Sequence, residues 1–406
     1  MKQWDVAIIG AGPAGAACAA LIARAGYEVL LLEKETFPRF RIGESLLPVA
    51  LPVFQELGLE LDPGFALRKG GARVIDESGH HSYRISFEMT LPGCPDHAYQ
   101  VVRADFDRAL VKKADEAGAE CRFEWGVTRI DETDENVVLH GPRGQIHTRF
   151  LVDATGQSAL TSAGSKRWVR GMGRFATYRH FQNVCSSKAR ETFVHGDILL
   201  ILTADGSWAW AIPLPDDRLS VGIVGKDGMR PQRPEEAMAA FLSDSPLMQQ
   251  ILKGSSPASK IHRCSDYSYY SRRPSTARTV ALGDAHAFLD PVFSSGVSIA
   301  LVTAAMLKDP LLAALKKDSA LDLAQYHHKI DQGYRVFERL IERFYRPGWR
   351  EATFFGGDKP ETWVRQLNTM LAGDVWRDDN PWQNKLLAAR RRTISFQDRL
   401  SETVSV

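Results

Sequence analysis

The stretch DVAIIGAGPAGAACAALIARAGYEVLLLE, residues 5–33, decides the fold. Asp5–Ile9 is a short apolar strand, Gly10–Gly15 a turn, Ala14–Ala25 an alanine-rich helix and Glu28–Leu32 a second strand, which is the order of a βαβ unit. Gly10, Gly12 and Gly15 stand in the G-x-G-x-x-G spacing. The first makes the turn, the second lets the backbone approach a pyrophosphate, and the third lets helix and strand pack closely. Ala14 belongs to the same turn, at the start of a helix whose free amides and dipole attract phosphate. Glu33 closes the second strand, where a carboxylate accepts hydrogen bonds from a ribose. The segment therefore predicts a Rossmann-like dinucleotide site.

Val6 to Ala23 is also long and apolar enough to suggest a membrane span or a leader. Its glycines and Pro13, with no cationic or A-x-A flank, favour the strand, turn and helix instead. The reading is therefore a cytoplasmic protein with no membrane span. The chain has 406 residues, 51 Lys and Arg against 49 Asp and Glu, and a net charge of +2, so no bulk electrostatic attraction to nucleic acid is expected. Five scattered cysteines without a C-x-x-C argue against a disulfide framework or a zinc site. The doublets His80-His81 and His327-His328 point adjacent side chains apart, so no metal is expected.

Downstream, a helix is predicted within 44–58 and another over Asp105–Ala117, then a β meander from Cys121 to Val152. Strand-like runs follow at Trp168–Phe181, Glu191–Leu202, Ser207–Pro213 and Leu219–Gly225, with helices at Pro234–Leu242 and Pro246–Leu252. Thr279–Leu282 is a buried strand before a long apolar helix from about Gly296 to Leu315. The expected architecture is α/β: a discontinuous Rossmann-like FAD-binding domain (1–69, 103–164 and 276–316), an inserted antiparallel β-sheet substrate domain (70–102 and 165–275), and a C-terminal helical region (317–406).

Three further motifs choose the dinucleotide. Val101-Val102-Arg103-Ala104-Asp105, Val152-Asp153-Ala154-Thr155-Gly156 and Ala281-Leu282-Gly283-Asp284-Ala285 stand in the order found in FAD-dependent oxidoreductases, a superfamily that holds aromatic hydroxylases, isoprenoid reductases and flavin-dependent halogenases. Two segments narrow the resemblance to halogenases of the phenol and pyrrole type. Arg41-Ile42-Gly43-Glu44-Ser45-Leu46-Leu47-Pro48 resembles their G-E-S-x-x-P segment, and Trp208-Ala209-Trp210-Ala211-Ile212-Pro213 their W-x-W-x-I-P core. Ser207 stands where the motif has glycine, and Gly206 lies one position earlier.

The resemblance implies FAD held by Arg41, Ser45, Arg103, Asp153, Gly156, Asp284 and Gly296 as well as the glycine turn, and supplied as FADH2 by a separate flavin reductase. It implies O2 and chloride or bromide as co-substrates, with the halide on the amides of Ser295 and Gly296. Trp208 and Trp210 would separate flavin from substrate, and Lys69 would take up hypohalous acid and deliver halogen to an electron-rich phenol or pyrrole. That aromatic could be free or tethered to an acyl or peptidyl carrier protein. Phe344, Tyr345, Trp349, Phe354, Phe355, Trp363, Trp376 and Trp382 are expected to roof an aromatic pocket. Lys385 and Arg390–Arg392 would form a basic landing site for a carrier. The alternatives on this scaffold are a reductase of isoprenoid double bonds, an aromatic hydroxylase, and a flavin-binding protein whose halogenase parts have decayed.

Overall fold

The computed structural model describes residues 2–162, 164–169, 173–226, 233–265 and 267–389. The opening unit forms as expected: strand Gln3–Ile9, helix Pro13–Arg24 and strand Val29–Leu32. Gln3–Ile9 is the centre of a seven-stranded sheet. Val29–Leu32 and then Glu120–Arg122 lie parallel on one side; Gly144–Asp153 lies parallel on the other. The last half of Gly144–Asp153 continues the parallel order to Thr279–Ala281, while its first half turns into the antiparallel meander Val137–Gly141 and Arg129–Glu132. Helix Pro13–Arg24 packs against both Arg103–Glu116 and Ser295–Lys317.

Helix Ser295–Lys317 is long and apolar enough to cross a membrane, and its apolar residues Ile299, Leu301, Val302, Leu307 and Leu311 are buried within the protein. Its apolarity serves a core that contacts it on more than one side.

The second large sheet has eight strands, centred on Arg174–Gln182, Arg218–Lys226, Trp208–Leu214 and Ile198–Leu202. Its pairings are antiparallel, as expected, with one exception: Gly71–Asp76 lies parallel to Ile198–Leu202. Two excursions of the chain therefore share one sheet, and the parallel pair joins strands more than a hundred residues apart. A crossover through the first domain is what lets two of its strands run in the same direction.

Three local expectations change. Only Leu51–Glu56, after a short 3-10 turn at Pro48–Ala50, is helical within 44–58, because Gly43 takes φ +105°, Ser45 bridges to Gln100 and Leu47 is extended. Glu191 belongs to the helix Ser187–Thr192, whose Ser186 Oγ accepts from the Ala189 amide at 3.0 Å, and Gly196 at φ +64° separates it from the strand. The run Trp168–Phe181 is two strands in two sheets, Lys166–Trp168 and Arg174–Gln182.

Candidate active site

A cleft of about 770 Å³ lies between the two large sheets, lined at one end by the glycine turn and at the other by Trp208 and Trp210. Gly10 takes φ +100°, and a Cβ there would fall 2.3 Å from the carbonyl oxygen of Ala154. At Gly15 a Cβ would fall 1.9 Å from the Gly10 carbonyl oxygen, so this glycine serves the packing of helix on turn and does not line the cleft. Gly12 differs: a Cβ would meet only the Arg39 guanidinium, at 3.8 Å, and would otherwise stand in the open cleft. Pro13 opens the helix with no acid in its first turn, leaving its amides and dipole for an anion. Glu33 reaches back to accept from the Ala11 amide at 3.0 Å, which holds a carboxylate at the edge of the cleft. These features fit a dinucleotide.

Arg39 is a residue the sequence reading missed. Its side chain is largely buried, pairs with Asp107 at 2.9 Å and Glu33 at 3.4 Å, and stands over the turn. Arg41 also borders the cleft but is half-exposed and pairs with Glu35 at 2.7 Å. Of the two arginines in Pro38-Arg39-Phe40-Arg41, the buried one is the one that reaches Gly12 of the turn; only its charge in a glycine-flanked cleft could have signalled this. Arg103 is buried, tied to Asp107 at 2.9 Å, and donates to the carbonyls of Ile42 and Gly43. It thereby fixes the G-E-S segment against the cleft. Asp284 borders the same cleft, and burial raises its carboxyl to about 6 against the pull of Arg103.

Asp153 was expected to touch the cofactor, yet its carboxylate is fully enclosed. It accepts from the amides and hydroxyls of Thr155 and Thr161, at 2.6 to 3.0 Å, and so shapes the turn that presents Gly156 to the cleft. It is a positioning residue.

Lys69 is no solvated surface lysine. It ends the strand Ala66–Lys69, is 1% exposed, and donates from Nζ to Ser45 Oγ at 2.8 Å and to the Leu46 carbonyl at 2.9 Å. Burial lowers its ammonium from the usual 10.5 to about 7, with Asp197 opposing. Ser45 faces the cleft; Lys69 lies behind it. Next to Ser45, Glu44 Oε1 stands 2.6 Å from His180 Nε2.

Trp208 and Trp210 share one face of their strand, with ring centroids 6.0 Å apart, and both border the cleft. Trp208 Nε1 donates to the Tyr345 hydroxyl at 2.9 Å, which in turn donates to the Asp290 carboxylate at 3.2 Å. Asp290 also caps the Val292 amide at 3.0 Å and so holds the turn that precedes helix Ser295–Lys317. Burial raises its carboxyl to about 6. The helix N-cap is Ser294, at φ +55°. Ser294 and Gly296 border the cleft, while the Ser295 side chain is buried away from it.

The Ser207 departure has a local explanation. Gly206 carries the positive φ of the turn, +86°, and Ser207 donates from both its amide and its hydroxyl to Asp205 at 2.8 and 2.9 Å. The glycine freedom has moved one residue upstream.

The C-terminal aromatics do not roof this cleft. Phe344 and Tyr345 buttress Trp208 from behind, Phe354 packs on Trp349 and Tyr83, and Trp363 pairs with Trp382. Their apolar area is spent on seating the C-terminal helices. Lys385 is exposed; Arg390, Arg391 and Arg392 lie outside the described residues. His81 pairs with Asp76 and His327 with Ser275, and among the described residues no cluster suits a metal ion.

The family model described as tryptophan halogenase matches residues 5–74 and 78–373. The tryptophan 2-halogenase of Chondromyces crocatus is 31% identical over 86% of this chain and 69% of its own. The 1H-pyrrole-2-carbonyl-[peptidyl-carrier protein] brominase of Pseudoalteromonas luteoviolacea is 29% identical over 94% of both chains. Among solved structures, a flavoprotein/dehydrogenase from Cytophaga hutchinsonii superposes with a TM-score of 0.87 at 27% identity, over 95% of this chain and 96% of that one. A flavin-dependent brominase does so with 0.83 at 25% identity, over 95% and 97%. The family match spans nearly all of the chain that builds the cleft, and the chain belongs to the tryptophan halogenase family of FAD-dependent enzymes.

Proposed function

We propose that this enzyme halogenates a small electron-rich aromatic of the pyrrole or phenol type, with pyrrole on a carrier protein as the leading substrate. The observation that carries the proposal is Lys69, a buried amine near neutrality held by Ser45 on the far side of the cleft wall. FAD, when bound and reduced, supplies the two electrons that let O2 oxidise halide to hypohalous acid.

The chain's own residues do the rest. The amides of Ser295 and Gly296, at a helix N-terminus, hold the halide. Trp208 and Trp210 keep the organic substrate from the flavin. Lys69 receives the oxidant, as hydrogen-bond donor when charged or as nucleophile when neutral. The pyrrole preference rests on two relatives: the carrier-protein brominase and the corresponding chlorinase of Pseudomonas fluorescens match this chain over nine-tenths or more of both partners. FADH2 comes from a separate flavin reductase in the cytoplasm. The working division is 1–69, 103–164 and 276–316 for FAD, 70–102 and 165–275 for the β insert, and 317–406 for the helical region.

The test is incubation with FAD, a flavin reductase, NADH and bromide, offering pyrrole-2-carbonyl carrier protein beside a phenol panel and free tryptophan. Mass spectrometry is expected to find bromopyrrole on the carrier. Bromination of tryptophan alone would overturn the substrate assignment.

A further inference from the structure

Arg174 opens the strand Arg174–Gln182, and Ala176 and Tyr178, on the same face two and four residues on, both border the cleft. Arg174 therefore stands one row beyond them, beside Trp208. It is 5% exposed, and its guanidinium centre lies 3.8 Å over the Tyr345 ring. Among the described residues it makes no ion pair within 4 Å and donates no hydrogen bond, and its Nε is buried without a partner. The nearest acid in the network, Asp290, spends its carboxylate on the Tyr345 hydroxyl and the Val292 amide.

A second donor in the same corner is also unused. Tyr267 is 2% exposed, borders the cleft, and among the described residues its hydroxyl has no hydrogen-bond partner. Its electrostatic neighbours are Asp290, Tyr345 and Arg174. Buried donors without acceptors are costly, and a charged one most of all, so two of them in one corner call for an acceptor from outside the chain. On the outer side Lys226 is exposed directly opposite Arg174 in the sheet and Arg350 reaches the Ser207 carbonyl at 3.5 Å, with Asp205 and Glu351 as the acids beside them. The acceptor that suits a guanidinium and a phenol together is an anion, and halide is the anion that the proposed reaction consumes.

We propose that Arg174 and Tyr267 form a second halide site, distinct from the helix amides of Ser295 and Gly296 and placed at the Trp208 end of the cleft. The inference rests on the halogenase reading of the cleft. Its function is to concentrate halide behind the tryptophan wall, from where the anion passes to the loop amides as each turnover consumes one.

Crystals of the FAD-loaded wild type soaked in sodium bromide, with anomalous diffraction at the bromine edge, test it. The expected map has a peak in contact with the Arg174 guanidinium and the Tyr267 hydroxyl, separate from any peak at the loop. Arg174→Met should remove that peak alone and raise the KM for bromide about tenfold or more, with kcat at saturating bromide changed far less. Tyr267→Phe, which retains the ring, should weaken the same peak. A wild-type map with bromide at the loop amides and none at Arg174 overturns this proposal and leaves the halogenase reading standing. Bromide at neither place overturns it too, and the product yield of the same batch then decides whether the halogenase reading falls with it.

Discussion

The Nζ of Lys69 lies 2.8 Å from the Oγ of Ser45, and of the two only Ser45 faces the cofactor cleft. On the function proposed above, the wall between the place where oxidant forms and the amine that would receive it is one hydroxyl thick. A small reactive acid can be handed across such a wall where an aromatic ring cannot follow.

Lys69→Met should lower halogenation by about 10²-fold or more while the reoxidation of reduced flavin by O2 stays near the wild-type rate, because the lysine acts after oxidant forms. Stopped-flow flavin absorbance and product mass spectrometry on the same samples separate the two. Unimpaired halogenation would remove Lys69 from the chemistry.

The pH dependence carries a sign. With the Lys69 amine at about 7 in the folded protein against 10.5 when exposed, the native state releases this proton first. If the neutral amine captures halogen, halogenation should climb through pH 7 and level off above it. Flavin reoxidation should lack that limb. The burial penalty on the charged amine is full below pH 7 and relieved as pH rises toward 10.5, so Lys69→Met should raise Tm more at pH 6 than at pH 9.

The three glycines of the turn should separate on substitution by alanine. Gly12→Ala places its methyl in open space, so the apoprotein should melt within about 2 °C of wild type. Its FAD affinity should fall about tenfold or more, measured by fluorescence titration. Gly10→Ala and Gly15→Ala meet backbone at 2.3 and 1.9 Å and should fold poorly even without FAD.

Tyr345→Phe removes the hydroxyl that links Trp208 to Asp290 and leaves a buried indole N–H unpaired, at a cost of about 1–3 kcal/mol in denaturant unfolding. The freed indole should also let the wall leak. Less halogenated product should form per NADH consumed, with FAD affinity unchanged.

Ser207→Gly should change little. Gly206 already provides the turn, and the backbone amide at 207 still donates to Asp205, so the variant loses only the hydroxyl bond to Asp205 and some backbone entropy, roughly 0.5–1 kcal/mol. A large rise in product would mean that the serine detunes the site.

The glycine turn, the tryptophan strand and the long apolar helix were legible because each is written in a local pattern: spacing, alternation, unbroken apolarity. What the sequence hid was partnership across distance. Arg39 and Arg41 are two residues apart and chemically alike, and only the tertiary position of Asp107 buries one and leaves the other to solvent. Asp153 resembles a ligand until the hydroxyls of Thr155 and Thr161 are seen to fill its carboxylate. The C-terminal aromatics advertised a pocket, but aromatic composition does not distinguish a roof from the packing that seats one.

The single parallel pairing of Gly71–Asp76 with Ile198–Leu202 bears on how this enzyme can be rebuilt. The eight-stranded sheet is stitched from two visits of the chain, with helix Arg103–Glu116 and much of the seven-stranded sheet made between them. No one cut excises it, so a graft that moves residues 165–275 into another flavoprotein leaves behind two strands and the lysine that precedes them. Assembly must also wait for contacts more than a hundred residues apart, which slows folding and leaves strand edges open meanwhile. Engineers seeking a new substrate range would do better to exchange both excursions together, or to work inside the sheet one side chain at a time.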